Sequence, residues 1–472
     1  MSTKLQDFDK LSTRALAAAI ATGKISSVEA TTEAARKLAE AHTLTHCTIT
    51  PETDEALKVA KAVDAARANG ETLGPLAGVP LAHKDMFDRT GKIASWGARI
   101  RADQPATTNA TVIDRLARAG ALQIAALHLT EFAFGPTGHN YVLGHARNPW
   151  DPTRITGGSS AGTACAVAYG AIPAGLGSDT AGSLRLPASN CGVTSIKPTW
   201  GRVSHAGAMP LALCLDTLGF IARHVEDLAL LTGIVAGSDP RDAHTSTVTV
   251  PNYLATIDQP VKGLRLGIDA TVIGEAHPDI QKAVANAVEV LSKVGLTKAT
   301  CSFPDWTTLD HLTQVMQLPD AASAHAAYLM TRPNDYGPQV RARLEVGHFI
   351  AAVDHMTALR ARGTMLARTL ETTFKQCDIA ILPINADPLP TIAELDVAGG
   401  PQVQQTMARV VKFCRPINYL GLPTLTLPVP RSGNALPTGV QIVAKPYAED
   451  LLFRIGHAYQ KLVPPQIARP LT

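Results

Sequence analysis

Charge of one sign is not in excess in this 472-residue chain, whose formal net charge at pH 7 is only +3. Acidic and basic residues are interspersed, and no block of basic residues occurs. Aromatic residues make up only 5% of the chain, which argues against a surface on which nucleic-acid bases stack. Together these features give no electrostatic case for nucleic acid or an anionic membrane as the main partner.

Paired cysteines and clustered metal ligands are also missing. The seven cysteines are scattered singly, without a Cys-x-x-Cys pair, so neither a disulfide framework nor a zinc site is implied. Most of them should be buried, reduced thiols. His42 and His46 lie four residues apart with Cys47 adjacent, but no further ligands accompany them, and a helix end is the better interpretation. No nucleotide-binding Gly-x-x-x-x-Gly-Lys-Ser/Thr loop occurs, and we expect neither a metal nor a cofactor.

Long hydrophobic runs are absent as well. No stretch of eighteen apolar residues occurs, so no membrane-spanning helix is expected. The first ten residues are polar and lack the apolar region of a signal peptide. Hydrophobic residues nevertheless make up 46% of the chain, enough to bury a sizeable core. These observations predict a soluble, cytoplasmic protein of enzyme size.

What the chain has is an alternation of short apolar runs with helical patterns, from residue 81 into the 440s. Ser26 and Glu29 form a capping box at the start of one predicted helix, and residues 161–171 are typical of a helix buried on every side. Predicted strands cover residues 121–127, 264–268, 379–382, 424–428 and 440–444. The pattern predicts an α/β fold in a single large domain, with a mixed, mainly parallel sheet covered by helices on both faces.

The expected domain spans residues 1–472 without a clear linker. We expect its core at about residues 70–230 and 375–465, after a helical N-terminal arm at residues 1–45. A variable region facing the substrate is expected at about residues 235–375.

The most informative feature is a glycine-dense segment that carries two serines, with a lysine well upstream. It reads GGSSAG from residue 157 and GSDTAGSLRLP from residue 177. Glycine lets backbone amides approach a ligand closely, and a serine hydroxyl attacks a carbonyl once a base removes its proton. The segment therefore suggests acyl transfer by an activated serine.

This segment resembles the signature of the amidase signature family. The likeness continues through RLPAS from residue 185, CGV from 191 and KPT from 197. It extends upstream to GVPLAHKD from residue 78, and downstream to PIN from 416, GLP from 421 and GVQ from 439. It thus covers most of the chain in the family's order. The resemblance implies a Ser–cisSer–Lys triad made of Ser183, Ser159 and Lys84, with a cis peptide bond between Gly158 and Ser159.

The chemistry of these residue types agrees with the roles that the resemblance implies. Ser183 would attack an amide carbonyl while a base takes its proton. Lys84 would be that base, which requires that burial lower its pKa until it is substantially neutral near pH 7. Ser159 would relay the proton, since a hydroxyl is both donor and acceptor. Water would then hydrolyse the acyl-enzyme by the same relay.

The resemblance also implies an oxyanion hole and a supporting loop. The oxyanion would be bound by the backbone N–H groups of Thr180, Ala181, Gly182 and Ser183. Many relatives have two glycines before the nucleophile, whereas this chain has Ala181, which keeps its N–H but resists a positive φ. Gly158, Ser160, Asp179 and Arg185 are expected to support the loop rather than touch the substrate. The expected walls of the substrate pocket are Met86, Phe87, Phe132, Phe134, Leu213 and the region 318–336.

Several alternatives accompany this interpretation. Residues 158–162 also fit the Gly-x-Ser-x-Gly nucleophile elbow, but the preceding residues 148–154 are too polar and too proline-rich for the buried strand that an elbow needs. The leading hypothesis is an amidase that hydrolyses a small-molecule amide. The resemblance leaves open the glutaminase-like component of a tRNA-dependent amidotransferase, a hydrolase of esters or of carbamate or urea-type substrates such as allophanate, and a non-catalytic homologue. It also allows a homodimer.

Overall fold

A computed structural model describes residues 7–396, 400–431 and 433–470 of the chain. Eleven strands form one sheet. They are β1 (Thr48–Pro51), β2 (Pro80–Lys84), β3 (Leu122–Leu127), β4 (Ala174–Asp179), β5 (Thr194–Lys197), β6 (Thr217–Ala222), β7 (Arg265–Ile268), β8 (Thr297–Thr300), β9 (Ile379–Pro383), β10 (Thr424–Pro428) and β11 (Gly439–Ala444).

Sixteen α-helices in the described ranges surround this sheet. They are α1 (Thr13–Ala21), α2 (Ser27–Thr45), α3 (Thr53–Ala68), α4 (Thr111–Arg118), α5 (Ala161–Tyr169), α6 (Arg185–Cys191), α7 (Val225–Val235), α8 (Tyr253–Thr256), α9 (Ala270–Gly274), α10 (Pro278–Lys293), α11 (Trp306–Thr331), α12 (Pro338–Gly347), α13 (Ala352–Thr372), α14 (Gly400–Val411), α15 (Arg415–Leu420) and α16 (Glu449–Gln460). None of these helices is long and apolar enough to cross a membrane.

The sheet is mixed, as the sequence predicts for this single α/β domain. Its strand order is β1-β3-β2-β4-β6-β5-β10-β11-β9-β7-β8. Parallel pairs lie toward both ends of the sheet, with β2 between β3 and β4 and with β7 between β8 and β9. At one edge, β1 pairs with β3 in the antiparallel direction. The pairs from β4 to β9 in the sheet order are antiparallel.

Helices cover both faces of the sheet, as expected. Side chains alternate between the faces of a strand, and along β9 they enter two different hydrophobic clusters. Ile379 and Ile381 pack in the cluster that includes residues of α7, α10 and α16. Ala380 and Leu382 pack in the cluster that includes residues of α11, α13 and α15. Each face of this strand is therefore sealed by its own group of helices.

Most local predictions from the sequence are confirmed to within a few residues. The capping box is present, with the Ser26 hydroxyl accepting from the Glu29 N–H and the Glu29 carboxylate accepting from the Ser26 N–H. Residues 161–168 of α5 are all buried. His46 ends α2 in a left-handed conformation, which agrees with the helix-end interpretation. All seven cysteines are free, and six are buried.

The predicted subdivisions of the domain compare less simply with the structure. The N-terminal arm is helical in α1 and α2, whereas residues 1–6 of the predicted arm lie outside the described part. Residues 235–375, expected as a variable region, contribute strands β7 and β8 to one edge of the sheet. That region therefore extends the sheet and also supplies helices α8 to α13.

Candidate active site

The site forms where two neighbouring parallel strands end. Lys84 is the last residue of β2 and Asp179 is the last residue of β4. Because these strands are parallel neighbours, their carboxyl ends meet at the same edge of the sheet, where ligands bind in α/β folds. Antiparallel strand β6 begins at this edge too, with Thr217 opposite Asp179. Asp216, just before β6, is therefore brought to the same place.

Lys84 is fully buried and its partners are hydroxyls. Its Nζ donates hydrogen bonds to Ser159 Oγ at 2.6 Å and to Ser178 Oγ at 2.9 Å. Burial lowers the pKa of Lys84 to about 7, although the carboxylates of Asp216 and Asp179 act to raise it. A substantial fraction of this lysine is consequently neutral near pH 7 and able to accept a proton.

The segment before α5 places Ser159 against this amine. The Gly158–Ser159 peptide bond is cis, as the resemblance implied. The Ser159 carbonyl accepts from the Thr130 N–H at 3.2 Å. A Cβ atom at Gly158 would lie 2.6 Å from the Gly135 carbonyl oxygen and 2.8 Å from the Gly138 nitrogen, so only glycine fits there. Tight backbone packing thus fixes the position of the Ser159 hydroxyl.

Ser160, the neighbouring serine, has a different environment. It is fully buried, and its hydroxyl donates to the Ser178 carbonyl at 3.2 Å. Its N–H donates to the Ser183 carbonyl at 3.2 Å. Ser160 therefore joins β4 to the following loop, which agrees with the supporting role expected for it.

A buried ion pair shapes the loop from Asp179 to Arg185. The Asp179 carboxylate accepts from Arg185 Nε and Nη2, both at 3.0 Å, and from the N–H groups of Gly182 and Leu184. Burial alone would raise the pKa of Asp179, but the charge and hydrogen bonds of Arg185 hold that pKa well below its usual range. The loop is thus wrapped around one carboxylate that is ionised near pH 7.

Arg185 also ties this loop to the C-terminal part of the chain. Its guanidinium donates to the side chains of Gln441 on β11 and Asn418 on α15. Asn418 donates in turn to the Asp179 carboxylate at 2.9 Å. Asn418 belongs to the PIN motif at residue 416, and Gln441 belongs to the GVQ motif at residue 439. These contacts explain why the two downstream motifs occur together with the glycine-rich segment.

The four amides predicted as oxyanion donors are not equivalent. The Gly182 N–H donates to Asp179 Oδ1 at 2.8 Å, so this amide is occupied and the expectation for it is corrected. In the described part of the chain, no hydrogen bond engages the N–H of Thr180, Ala181 or Ser183. Gly182 has φ +114°, whereas Ala181 does not have a positive φ. Alanine at position 181 is therefore compatible with this loop.

Ser183 lies on a cavity of about 240 Å³ and is 8% exposed. One side of this cavity is formed by the loop that carries Thr180, Ala181 and Ser183, together with Gly158, Leu211 and the segment 133–136. Its other walls come from α11, α12, α14 and Arg415. The lining residues are Ala133, Phe134, Gly135, Pro136, Gly158, Thr180, Ala181, Ser183, Leu211, Gln314, Gln317, Leu318, Arg343, Val346, Met407, Ala408, Val411 and Arg415.

The predicted pocket walls divide into two groups. Phe134 lines this cavity, and Met86 and Leu213 line a smaller adjoining one that shares Ala133, Thr180 and Leu211 with it. Of the region 318–336, Leu318 lines the cavity.

The other two predicted wall residues lie elsewhere. Phe87 lines a separate cleft beside Glu52 and Arg89. Phe132 is buried against the rings of Trp96, His325 and Tyr336. Phe87 and Phe132 thus pack outside the cavity that holds Ser183, because an apolar side chain is usually part of the core.

Several polar residues at the site carry no motif in the sequence. Asp216 accepts from the Thr180 hydroxyl at 2.5 Å and from the N–H groups of Leu211 and Ala212, which fixes the start of the loop. Gln314, Gln317 and Arg343 reach the cavity from helices α11 and α12. In the sequence, these three residues are marked only by being polar at helix positions that face the rest of the domain. That signal is too weak to predict them as site residues.

Comparison with known proteins gives a consistent result. Residues 29–453 match the family model described as Amidase. The A subunit of glutamyl-tRNA(Gln) amidotransferase from Chloroflexus aurantiacus is 35% identical over 492 aligned positions, which cover 99% of each chain. A solved structure described as "An unexpected vestigial protein complex reveals the evolutionary origins of an s-triazine catabolic enzyme" has a TM-score of 0.90 at 31% identity, covering 97% of this chain and 100% of that one. The crystal structure of an amidase has a TM-score of 0.84 at 28% identity, covering 96% and 100%.

Replacing Arg185 with alanine should destabilise the protein by about 3–5 kcal/mol, because it leaves the carboxylate of Asp179 buried without its counter-ion. Urea unfolding measures this loss. Arg341→Ala is the matched control, since the Arg341–Glu345 pair is exposed and contributes little. If the two variants unfold at the same urea concentration, the Asp179–Arg185 pair does not hold the loop as described.

Proposed function

The chain belongs to the amidase family of enzymes that act on carbon–nitrogen bonds, and we propose that it hydrolyses a small-molecule amide to a carboxylic acid and an amine through a Ser183 acyl-enzyme. The observation that carries this proposal is the hydrogen bond between the buried Lys84 amine and the Ser159 hydroxyl, at the edge of the sheet where Ser183 lines a cavity. In the proposal, Lys84 serves as the base, Ser159 as the proton relay and Ser183 as the nucleophile.

In the proposed reaction, Ser183 Oγ attacks the amide carbonyl carbon and a C–O bond forms. Its proton passes to Ser159 as Ser159 gives its own proton to neutral Lys84. The tetrahedral intermediate then collapses, the C–N bond breaks, and the relay returns a proton to the departing amine. Water attacks the acyl-enzyme by the same route and regenerates Ser183.

The oxyanion of the intermediate needs hydrogen-bond donors that are already in place. The unengaged amides of Thr180, Ala181 and Ser183 belong to residues that line the same cavity as the nucleophile, and they serve this role in the proposal. Losing one such donor typically costs about 2.7–4 kcal/mol of transition-state stabilisation. The hydrogen bond from Thr180 to Asp216 orients this part of the loop.

A second candidate function is that of the glutaminase-like component of a tRNA-dependent amidotransferase, in which the released ammonia passes to a partner protein. The similarity to one such component over 99% of both chains favours it. Against it stands the chemistry of the cavity. Glutamine carries an α-ammonium group, and the described residues that line the cavity include two arginines but no aspartate or glutamate. Carbamate and urea-type substrates remain compatible with the same proposed reaction steps.

Ser183→Ala should abolish amide hydrolysis and labelling by a fluorophosphonate, because no other serine lines the cavity within the described residues. The expected fall in kcat is on the order of 10⁶-fold. Ser160→Ala is the control, and it should keep its label. Mass spectrometry that located the label on Ser160 would refute the assignment.

The value of kcat/KM should rise with pH through about 7 and then level off, because Lys84 with a pKa of about 7 accepts a proton only in its neutral form. Lys84→Met should lose activity by orders of magnitude. Lys197→Met is a sharp control, since burial also lowers the pKa of Lys197 to about 7, but its Nζ donates to the Pro198 carbonyl. If the rise of kcat/KM with pH disappears in Lys197→Met and persists in Lys84→Met, the base is wrongly assigned.

A substrate panel separates the two candidate functions. The amidase should hydrolyse aliphatic, aryl or carbamate substrates as the purified single chain. It should hydrolyse glutamine at least about tenfold more slowly, since the glutamine ammonium finds no carboxylate among the described residues that line the cavity. Steady-state kinetics on each substrate measure this difference. Glutaminase activity that exceeds every other activity, or that requires a copurifying protein, would favour the amidotransferase component instead.

A further inference from the structure

A buried histidine, His205, lies close to the loop that carries Ser183. It is 6% exposed and lines the small adjoining cavity together with Thr180 and Asp216. Its Nδ1 lies 3.1 Å from Asp242 Oδ2, and its Nε2 lies 2.8 Å from the Asp216 carbonyl oxygen. No step of the proposed reaction uses this residue, so its position at the site needs another explanation.

Both ring nitrogens of His205 face oxygen atoms that accept hydrogen bonds. A carbonyl oxygen and an ionised carboxylate have no proton to donate, so each nitrogen forms its hydrogen bond only by donating. Burial by itself would lower the pKa of His205, but the hydrogen bond to Asp242 and the charges of Asp216 and Asp242 raise it from its ordinary value of 6.5. The same hydrogen bond lowers the pKa of Asp242. His205 and Asp242 therefore form a buried ion pair.

The loop around Asp242 fixes the orientation of the imidazole. Asp242 Oδ2 also accepts from the His205 N–H at 2.7 Å, and Oδ1 accepts from the His244 N–H at 2.9 Å. The Thr245 hydroxyl donates to the Asp242 carbonyl at 2.8 Å and closes the turn. A hydrogen bond at one ring nitrogen sets how the other nitrogen is used. Asp242 thus directs Nε2 of His205 toward the Asp216 carbonyl.

Asp216 connects this ring to the proposed oxyanion donors. Its main-chain carbonyl accepts from His205, and its carboxylate accepts from the Thr180 hydroxyl at 2.5 Å. An oxyanion donor is effective only when its N–H already points to the place where the negative charge develops. A continuous series of hydrogen bonds therefore runs from Asp242 through His205 and Asp216 to Thr180.

We propose that His205 is a positioning residue, which holds the Asp216 main chain through Nε2 and thereby keeps the Thr180 amide directed at the oxyanion. Asp242 orients the ring, and the bond from Nε2 to the Asp216 carbonyl carries the effect. The inference rests on the proposed function and extends it, because His205 acts through Asp216 rather than on the substrate.

Two substitutions at position 205 separate this role from a general effect on packing. The side-chain amide nitrogen of glutamine can take the place of Nε2, whereas that of asparagine can replace only Nδ1. His205→Asn should therefore lower kcat by at least about tenfold and change KM by less than about twofold, because the oxyanion forms only on the way to the tetrahedral intermediate. His205→Gln should keep kcat within about threefold of that of the unsubstituted protein. Steady-state kinetics on the best amide of the substrate panel measure both values.

His224→Asn is the matched control. His224 precedes α7, its Nε2 lies 3.3 Å from the Lys10 carbonyl oxygen, and it lines neither cavity at the site. The variant loses the same kind of hydrogen bond and should leave both kcat and KM unchanged.

A double-mutant cycle tests whether His205 acts through Asp216. Thr180→Val removes the hydroxyl that donates to Asp216 but keeps the Thr180 amide, and it should also lower kcat. Because both changes act on the same amide, the double variant should lose less than the product of the two separate losses. A loss equal to that product overturns the inference.

The protonation of the ring is measured separately, in the resting protein. NMR of protein labelled with ¹⁵N in its histidines, at pH 6.5, should show that Nδ1 and Nε2 of His205 both carry a proton, with the signals identified by their disappearance in His205→Gln. An Nε2 without a proton overturns the inference, and this result is available even if His205→Asn does not fold.

The outcomes distinguish this inference from the proposed function. An unchanged kcat in folded His205→Asn, or equal losses in His205→Asn and His205→Gln, overturns the inference and leaves the amidase standing. If the unsubstituted protein hydrolyses no amide, the proposed function itself is contradicted, and the positioning role is lost with it.

Discussion

The burial of one amine among hydroxyl groups is the constraint on which the site depends. A charged ammonium that is fully buried loses its hydration, and Lys84 contacts Ser159 and Ser178 rather than a carboxylate. The protonation equilibrium of Lys84 therefore shifts toward the neutral amine, and its pKa is about 7. Asp216 and Asp179 limit this shift without forming an ion pair with the lysine. Under the proposed function, burial makes Lys84 a base near pH 7. The Ser159 hydroxyl beside it can relay the proton because a hydroxyl both donates and accepts hydrogen bonds.

The surrounding structure keeps this arrangement rigid. Lys84 is held at the end of the interior strand β2, and the loop that carries Ser183 is wrapped around the Asp179–Arg185 pair. Arg185 extends the network to Gln441 and Asn418, so elements from distant parts of the chain share one buried charge pair. Within the described residues, this network engages the Gly182 amide and leaves the amides of Thr180, Ala181 and Ser183 without a hydrogen-bond partner.

The sequence predicted what is encoded locally or in contiguous motifs. The capping box at Ser26, the buried helix α5 and the strands at residues 424–428 and 440–444 follow from short-range patterns, and the structure contains them. The pairing directions of the strands depend on contacts between distant segments, which periodicity does not encode.

The cavity walls were harder to predict for the same reason. Arg343 and Arg415 were not predicted as cavity residues, whereas Phe132 was predicted as one and packs against Trp96 and Tyr336 instead. The occupied amide of Gly182 depends on the orientation of a neighbouring carboxylate, which no spacing rule gives.

The pKa of Lys84 in the resting protein tests the central claim most directly. An NMR titration of protein labelled with ¹³C at the lysine Cε atoms measures it, with the Lys84 signal identified by its disappearance in Lys84→Arg. Burial among hydroxyls predicts a titration midpoint of about 7 for this signal. A midpoint close to the ordinary lysine value of 10.5 would contradict the claim that burial prepares this amine to accept a proton.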